Sequence, residues 1–442
     1  MLELKIPLEK GSKKIINAWA FYDWANSVYP LVISSAIFPI YYASLFSEDN
    51  FISFFQFEVK NTAMISFVTA AAFFIVALMS PLLTGIADYI GNKKRFMKIF
   101  VYLGAFSCIG LYFFELKTIY LGLFIHFLGL IGYSSSIVFY NSYLPDIAFP
   151  DQQDRVSARG FSIGYVGSVI LLLSNLAMIM YPDIFGIEGN KVEASIKAMR
   201  YSFISAGIWW ILFSQYSFYF LPKGNREVKV TKDIFWNGYK ELKSVWKLLE
   251  DNIALKRFLP AFYIYSMALQ TVLLVAVYFG EEEILWGSSS EKTMGLIVSI
   301  LLIQIVGILG AFLTAMASER FGNIRALIVV NSIWATLCCY AYYIETPMQF
   351  YFVAGSVGLV MGGLQALSRS TYSKLIPITE DTASFFSFYD VTEKIAIIVG
   401  MSLFGIIDQI TGSMRNAILF FMTFFIIGAV MLLRVPRKKL RS

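Results

Sequence analysis

The 442-residue sequence has too few charged residues to cover a water-facing surface. Only 15% of the residues are charged and 57% are hydrophobic, whereas soluble proteins carry about 25% charged residues. The single histidine argues against a histidine-based metal site or acid–base enzyme. The three cysteines all lie in apolar runs and support neither a disulfide framework nor a zinc site. These scarcities exclude soluble globular, disordered and disulfide-stabilised proteins.

Twelve runs with few or no charges are long enough to cross a bilayer. A hydrocarbon core about 30 Å thick needs roughly 20 apolar residues of helix. The runs are too uniformly apolar for barrel strands, so we predict an all-α integral membrane fold with twelve transmembrane helices. Spans 1 to 12 cover residues 24–47, 61–87, 99–114, 118–145, 160–182, 201–222, 258–280, 293–318, 326–344, 346–368, 385–407 and 416–433.

The distribution of Lys and Arg predicts the orientation of these spans. With a cytoplasmic N-terminus, most of the 36 Lys and Arg residues fall in cytoplasmic segments, as the positive-inside rule requires. No cleavable signal is apparent, so we predict a multi-pass protein of a bacterial cytoplasmic membrane with both termini in the cytoplasm. The positive residues behind the net charge of +6 therefore indicate membrane topology and do not indicate nucleic-acid binding. The exceptions are Lys60, Lys117, Lys191, Lys197, Arg200, Lys292 and Arg415 in outer segments, and Lys394 inside span 11.

The longest interior polar segment divides the chain into two sets of six spans. We predict an N-terminal six-helix bundle over residues 1–222, a cytoplasmic linker over 223–257 and a C-terminal six-helix bundle over 258–442. One face of the linker is apolar, which predicts an amphipathic helix that either lies on the membrane surface or packs on the loops. Six-plus-six repeats are frequent in transporters.

Short motifs support this duplication. Asp88, Gly91 and Asn92 after span 2 recur at the same spacing as Glu319, Gly322 and Asn323 after span 8. An acid at the end of a span either caps or pairs with helix ends that slide during a conformational change, or it serves as a charged topology anchor. Glycines in spans 4 and 5 predict close helix contact; they are Gly122, Gly129, Gly132, Gly160, Gly164 and Gly167.

The acid, glycine and basic residues after spans 2 and 8, with twelve spans and a central loop, resemble the major facilitator superfamily. Tyr22-Asp23-Trp24-Ala25-Asn26-Ser27 in span 1 and Gly362-Gly363-Leu364-Gln365-Ala366-Leu367-Ser368-Arg369-Ser370 in span 10 resemble the vacuole-effluxer-like family. That resemblance implies efflux of small solutes, and fungal members of the family are linked to amino-acid release. The chain departs from the family pattern at Thr84, at Ser266-Met267-Ala268 in span 7 and at Glu393 in span 11.

Charged side chains inside a span are costly and are functional hypotheses by default. Asp390, Glu393 and Lys394 share one face of span 11, and Arg369 could neutralise one of the buried acids. We predict a titratable, charge-paired gate whose protonation biases inward-facing against outward-facing states. The alternative is a static salt-bridge cluster that fixes helix register. The coupling or gating candidates are Asp23, Asp88, Arg369, Asp390, Glu393 and Lys394.

In the resembling fold, spans 1, 4, 7 and 10 line a central cavity. Amides and phenols in these spans suit a zwitterionic or neutral polar solute, although each can also serve as an interhelical hydrogen bond. The candidate substrate-binding residues are Asn26, Tyr29, Tyr133, Tyr140, Asn141, Tyr263, Tyr265, Gln270 and Gln365.

These features predict a secondary transporter rather than an enzyme. We expect a monomer without cofactor or metal that moves a small polar solute, with amino acids or related metabolites the leading class. Efflux by alternating access, with protons as coupling ion, is the working hypothesis. No phosphate-binding loop is present, which argues against an ATP-driven pump. One alternative is a membrane enzyme acting on lipid or isoprenoid substrates, which would need carboxylates with metal-ligand spacing or a nucleophile with a base. The other is a non-transporting sensor or scaffold.

Overall fold

The computed structural model describes residues 9–46, 51–54, 57–223 and 234–436. Span 1 becomes α1 (Lys13–Asn26), a π-helical segment (Tyr29–Ile37) and α2 (Phe38–Ser44). An antiparallel hairpin that the sequence did not predict, β1 (Phe51–Phe54) and β2 (Phe57–Lys60), precedes the next span. The other helices of this half are α3 (Asn61–Ile90), α4 (Lys93–Gly110), α5 (Ile119–Ser142), α6 (Leu144–Ile147), α7 (Gln153–Met180) and α8 (Lys191–Phe220).

The second half begins after the linker. Residues 224–233 of the predicted linker lie outside the described part of the chain, so the division into bundles at 222 and 257 stays a prediction. The helices that follow are α9 (Ile234–Asp251), α10 (Ile253–Glu282), α11 (Ser289–Phe321), α12 (Asn323–Ala341), α13 (Pro347–Leu375), α14 (Thr382–Thr411) and α15 (Met414–Leu432). Single 3₁₀ turns lie at Leu111–Phe113, Leu116–Thr118 and Pro182–Phe185.

Ten helical segments of the described residues are long and apolar enough to cross a membrane. The remaining two predicted spans are α8 and α14, each 30 residues long. The apolar sequence of α8 is interspersed with Ser, Gln and Tyr, and α14 carries Asp390, Glu393, Lys394 and Asp408. The predicted fold of twelve transmembrane helices is therefore confirmed. Some helices begin earlier than predicted, such as α7 at Gln153 and α10 at Ile253, because their charged first turns continue the helix beyond the apolar run.

The two sets of six helices repeat the same pairings. α1 packs against α7 and α8, α4 against α5 and α8, and α3 against α5. In the second set α10 packs against α14 and α15, α12 against α13 and α15, and α11 against α13. Buried apolar side chains form two large clusters, one in each set. The sets meet where α7 packs on α11 and α13, and where α14 packs on α3 and α5.

Helix α9 packs along α3 and also contacts α10 and α14. The helices approach at two glycines, since a Cβ atom on Gly85 would lie 2.5 Å from the carbonyl oxygen of Gly238. Val245 is buried on the inner face of α9, whereas the rings of Trp236 and Tyr239 are exposed. The helix therefore packs on the protein with aromatic side chains facing outward.

Close backbone contact between α4 and α5 gives a first prediction. A Cβ atom on Gly132 would lie 2.5 Å from Gly104 Cα and 2.8 Å from the carbonyl oxygen of Phe100. Gly132→Leu should therefore lower the melting temperature of the purified protein, since overpacking costs roughly 1–3 kcal/mol and backbone cannot move aside. Gly405→Leu is the matched control because nothing lies within 4 Å of its Cβ position. Equal melting temperatures for the two variants would contradict the prediction.

Candidate functional site

A buried charge pair joins the two halves toward the predicted cytoplasmic end. The hydroxyl of Tyr140 on α5 donates to Asp23 Oδ2 on α1 at 2.7 Å, and Arg369 Nη2 on α13 lies 3.6 Å from the same oxygen. Asp23 is 5% exposed and Arg369 is 4% exposed. Gly160 on α7 leaves room for this contact, because a Cβ atom there would lie 3.1 Å from Tyr140 Oη and 3.2 Å from Arg369 Nη2.

The guanidinium of Arg369 is held by further acceptors. Its Nε donates to Ser157 Oγ at 2.9 Å, Nη2 to the Ser157 carbonyl at 2.9 Å and Nη1 to Asn141 Oδ1 at 3.1 Å. Its Cζ lies 4.8 Å from the ring centroid of Trp19 and 4.4 Å from that of Phe161. Because arginine keeps its charge when buried, a full set of partners is required. Of the predicted acids, Asp23 is the one that pairs with Arg369.

A second set of polar side chains lies on α1, the π-helical segment and α5 of the first half. The ring of Tyr29, which opens the π-helical segment, stacks on Tyr133 at a centroid distance of 4.9 Å. Asn26 and Tyr29 are each 1% exposed, and neither Asn26 Nδ2 nor the Tyr29 hydroxyl has a hydrogen-bond partner. A buried polar group without a partner costs about 1–3 kcal/mol. Burial of these two donors is therefore costly in the conformation described.

The charged face of α14 forms a third group, which we call the span-11 cluster: Asp390, Glu393 and Lys394 with Gln270. Lys394 Nζ lies 3.2 Å from Asp390 Oδ1 and 3.5 Å from Glu393 Oε2. Gln270 Nε2 on α10 donates to Glu393 Oε1 at 2.8 Å. The cluster lies where α14 packs on α3 of the other half, with Lys394 Nζ 5.6 Å from the Phe73 ring centroid.

The remaining candidate cavity residues are placed differently. Tyr265 is fully buried and its hydroxyl lies 2.7 Å from Ser368 Oγ, inside the second half. Tyr263 packs partly buried against the apolar cluster of the same half. Gln365 Oε1 accepts a hydrogen bond of 3.4 Å from Tyr165 across the interface between the halves. The contacts of Tyr265 thus tie helices of one half together, whereas Gln365 joins the two halves.

At the predicted cytoplasmic end, Asp88 caps a helix of the other half. Its carboxylate oxygens accept from the backbone N–H of Ser384 at 2.6 Å and of Ala383 at 3.3 Å, both in the first turn of α14. The first N–H groups of a helix have no partner within the helix, and a negative charge there is favourable. This geometry matches the interpretation of Asp88 as a cap between helix ends. Nearby, Lys93 Nζ donates to Thr382 Oγ1 at 2.7 Å and pairs with Asp146.

The sequence prediction missed a second buried acid that bonds across the interface at this end. Asp154, in the first turn of α7 and 3% exposed, accepts from Ser318 Oγ at 2.8 Å, Asn323 Nδ2 at 2.8 Å and Lys374 Nζ at 2.7 Å. From sequence alone, an acidic residue next to a loop is expected to be exposed to solvent. The repeat could have revealed it, because a loop after span 2 that reaches span 11 implies that the loop after span 8 reaches span 5.

The two ends of the molecule differ in how the halves are joined. At the predicted cytoplasmic end, Asp88, Lys93, Asp154 and Arg369 all bond across the interface, and Arg155 pairs with Glu319. At the opposite end, the ion pairs described in the structure each stay within one half: Arg200–Glu115, Lys292–Glu281 and Arg415–Glu283. Polar contacts thus close the predicted cytoplasmic end.

This arrangement of helices is that of the major facilitator superfamily of membrane transporters. The outward-facing crystal structure of the transporter FucP superposes with a TM-score of 0.69 at 14% identity, covering 96% of this chain and 98% of that one. The proton:xylose symporter XylE superposes with a TM-score of 0.68 at 13% identity, covering 97% of each chain. At these identities the likeness shows the fold alone.

Sequence comparison then gives the family. The family model described as "Vacuole effluxer Atg22 like" matches residues 11–442, and the chain belongs to this family. The chain is 32% identical over 423 residues to the uncharacterised MFS-type transporter YxiO of Bacillus subtilis (strain 168), covering 96% of this chain and 95% of that protein. It is 23% identical over 463 residues to Autophagy-related protein 22-2 of Aspergillus oryzae (strain ATCC 42149 / RIB 40), covering 85% and 74%. Family and fold are those of secondary transporters.

Proposed function

We propose that this protein exports a small polar solute, with amino acids or related metabolites the leading class, by alternating access coupled to protons. The supporting observation is the buried Asp23–Arg369 pair, which joins α1 and α13 of opposite halves. Export across a bacterial cytoplasmic membrane, by a monomer with both termini in the cytoplasm, completes the proposal. The family description as an effluxer favours this direction.

Opening of the predicted cytoplasmic end must separate α1 from α13, because the contacts of Arg369 with Asp23, Asn141 and Ser157 all cross the interface. Separation leaves a carboxylate and a guanidinium facing the opening. A zwitterion supplies the two charges that can replace the lost partners, an ammonium for Asp23 and a carboxylate for Arg369. This exchange is the reason that amino acids lead the list of solutes.

Two unpartnered donors lie in the sequence shortly after Asp23. Asn26 is three residues beyond Asp23 on α1, and its Nδ2 and the Tyr29 hydroxyl have no hydrogen-bond partner. A bound solute with oxygen acceptors would satisfy both donors. The stacked rings of Tyr29 and Tyr133 would supply an apolar wall beside them. A polar head with a compact apolar body fits this combination.

The proposal predicts gradient-driven flux. Purified protein reconstituted in liposomes should exchange a subset of radiolabelled amino acids saturably, and a proton gradient should stimulate that flux. Asp23→Asn should abolish the flux. The neutral asparagine offers no carboxylate with which the ammonium group of the solute could pair. Glu281→Gln is the matched control, since Glu281 pairs with Lys292 within one half. Flux that ignores the gradient would refute proton coupling, and flux that is unchanged in Asp23→Asn would refute the role of the Asp23–Arg369 pair.

A further inference from the structure

The span-11 cluster differs from the Asp23–Arg369 pair in its balance of charge. Asp23 has one guanidinium as partner, so that pair is neutral. In the cluster, the two carboxylates of Asp390 and Glu393 share the single ammonium of Lys394. With both acids ionised, the cluster carries one net negative charge.

Neighbouring helices do not supply the missing positive charge. α10 contributes the neutral amide of Gln270 and α3 the ring of Phe73. α5, which packs on α14, carries the phenol of Tyr133. Tyr389, one turn before Glu393 on α14 itself, is also a phenol. Among the residues that the structure describes, no side chain of α9 or α15 forms an ion pair or hydrogen bond with the cluster.

The surroundings make that charge imbalance costly. Asp390 is 4% exposed and Lys394 is 7% exposed, and Asp390 Oδ2 is buried without a hydrogen-bond partner. An unneutralised charge inside a bilayer costs several kcal/mol even after relaxation. Addition of one positive charge removes the imbalance, and a proton is the charge that fits at a single buried oxygen atom.

Hydrogen bonding indicates which acid receives the proton. Glu393 Oε1 accepts from Gln270 and Oε2 faces Lys394, and these donors favour the ionised form of Glu393. Asp390 has Lys394 at Oδ1 only. We propose that Asp390 carries the coupling proton on Oδ2, while Asp23 stays ionised against Arg369. The coupling role rests on the transport function proposed above, whereas the protonation itself does not.

The position of the cluster lets this proton influence the conformation. α14 is the helix whose first turn is capped by Asp88 and which packs on α3 and α5 of the opposite half. Loss of the proton restores a net negative charge at this interface, beside the Phe73 ring of the other half. The unneutralised charge then favours the conformation in which the two halves separate here and water solvates the cluster. Proton release and opening are thereby coupled.

Infrared difference spectroscopy tests the proposal without a known solute. Wild-type protein in lipid should show the carbonyl band of a protonated carboxylic acid, which disappears on raising the pH from about 5 to about 9. Asp390→Asn should remove this band and Asp23→Asn should leave it unchanged. A band that is lost in Asp23→Asn and kept in Asp390→Asn, or a wild type without the band, would overturn the proposal.

Lys394→Gln is the second variant and tests the charge count. Without the ammonium, both acids of the cluster must be neutral, so the carboxylic acid band should about double in amplitude. An unchanged amplitude would contradict the shared-charge argument.

The liposome assay separates the two proposals. Absent flux with the Asp390 band present refutes the transport function alone, whereas gradient-driven flux that survives in Asp390→Asn refutes this inference alone.

Discussion

Arg369→Met is expected to abolish transport and to destabilise the folded protein by about 3 kcal/mol, the low end of the cost of breaking a buried ion pair. The substitution keeps most of the side-chain volume but leaves the Asp23 carboxylate with only the Tyr140 hydroxyl. It also removes the donors to Asn141 and Ser157 across the interface. Thermal unfolding of purified protein measures the stability, and the liposome assay measures the flux.

The double variant Asp23→Asn/Arg369→Met distinguishes a gate from a static salt bridge. Replacement of both partners removes the uncompensated charge, so most of the lost stability should return. If the pair only fixes helix register, transport should return with it. Our proposal predicts that transport stays absent, since neither charge is left to exchange with the solute. Recovery of gradient-driven flux in the double variant would therefore contradict the gating role of the pair.

Much of the fold follows from the lengths and charges of the apolar runs. A run long enough to cross the bilayer identifies each span, and the loops between them are short. The ends of the helices were harder to predict, because charged turns such as that of Arg155 in α7 continue the helix outside the bilayer. The strands Phe51–Phe54 and Phe57–Lys60 lie in a short segment rich in Phe between spans 1 and 2, which a search for runs long enough to cross the bilayer does not identify. The π-helical segment begins at Tyr29-Pro30, and the spacing of its apolar residues does not distinguish it from an α-helix.

The residues of the candidate site were also partly predictable from the sequence, whereas their partners were not. Rarity of charge inside the spans and at their ends was sufficient to select Asp23, Arg369 and Asp390 as candidates, because burial of such groups is expensive. Their pairing was not predictable, since it depends on which helices of the two halves face each other. Asp154 escaped notice because its burial is created by α11 and α13 of the other half. Local sequence therefore identifies costly residues, and tertiary packing decides their partners.

Asp88→Ala is expected to weaken closure of the predicted cytoplasmic end. The alanine removes both acceptors of the α14 N–H groups and the charge beside the helix terminus, together about 1–2 kcal/mol. A difference of that size changes the ratio of closed to open molecules by about 5- to 30-fold. Spin labels at the exposed positions Asp151 and Ile378 report this end, and a longer, broader distance distribution is expected.

A label pair at Leu116 and Met348, both exposed at the opposite end, is the internal control. Alternating access requires this second distance to shorten as the first lengthens, whereas local unfolding of α14 would leave it unchanged. Asp88→Asn separates the two contributions, because asparagine keeps one acceptor and loses the charge. An intermediate shift means that both contribute, and a shift equal to that of Asp88→Ala assigns closure to the charge. Distances equal to wild type in both variants would show that the Asp88 cap does not hold the halves together.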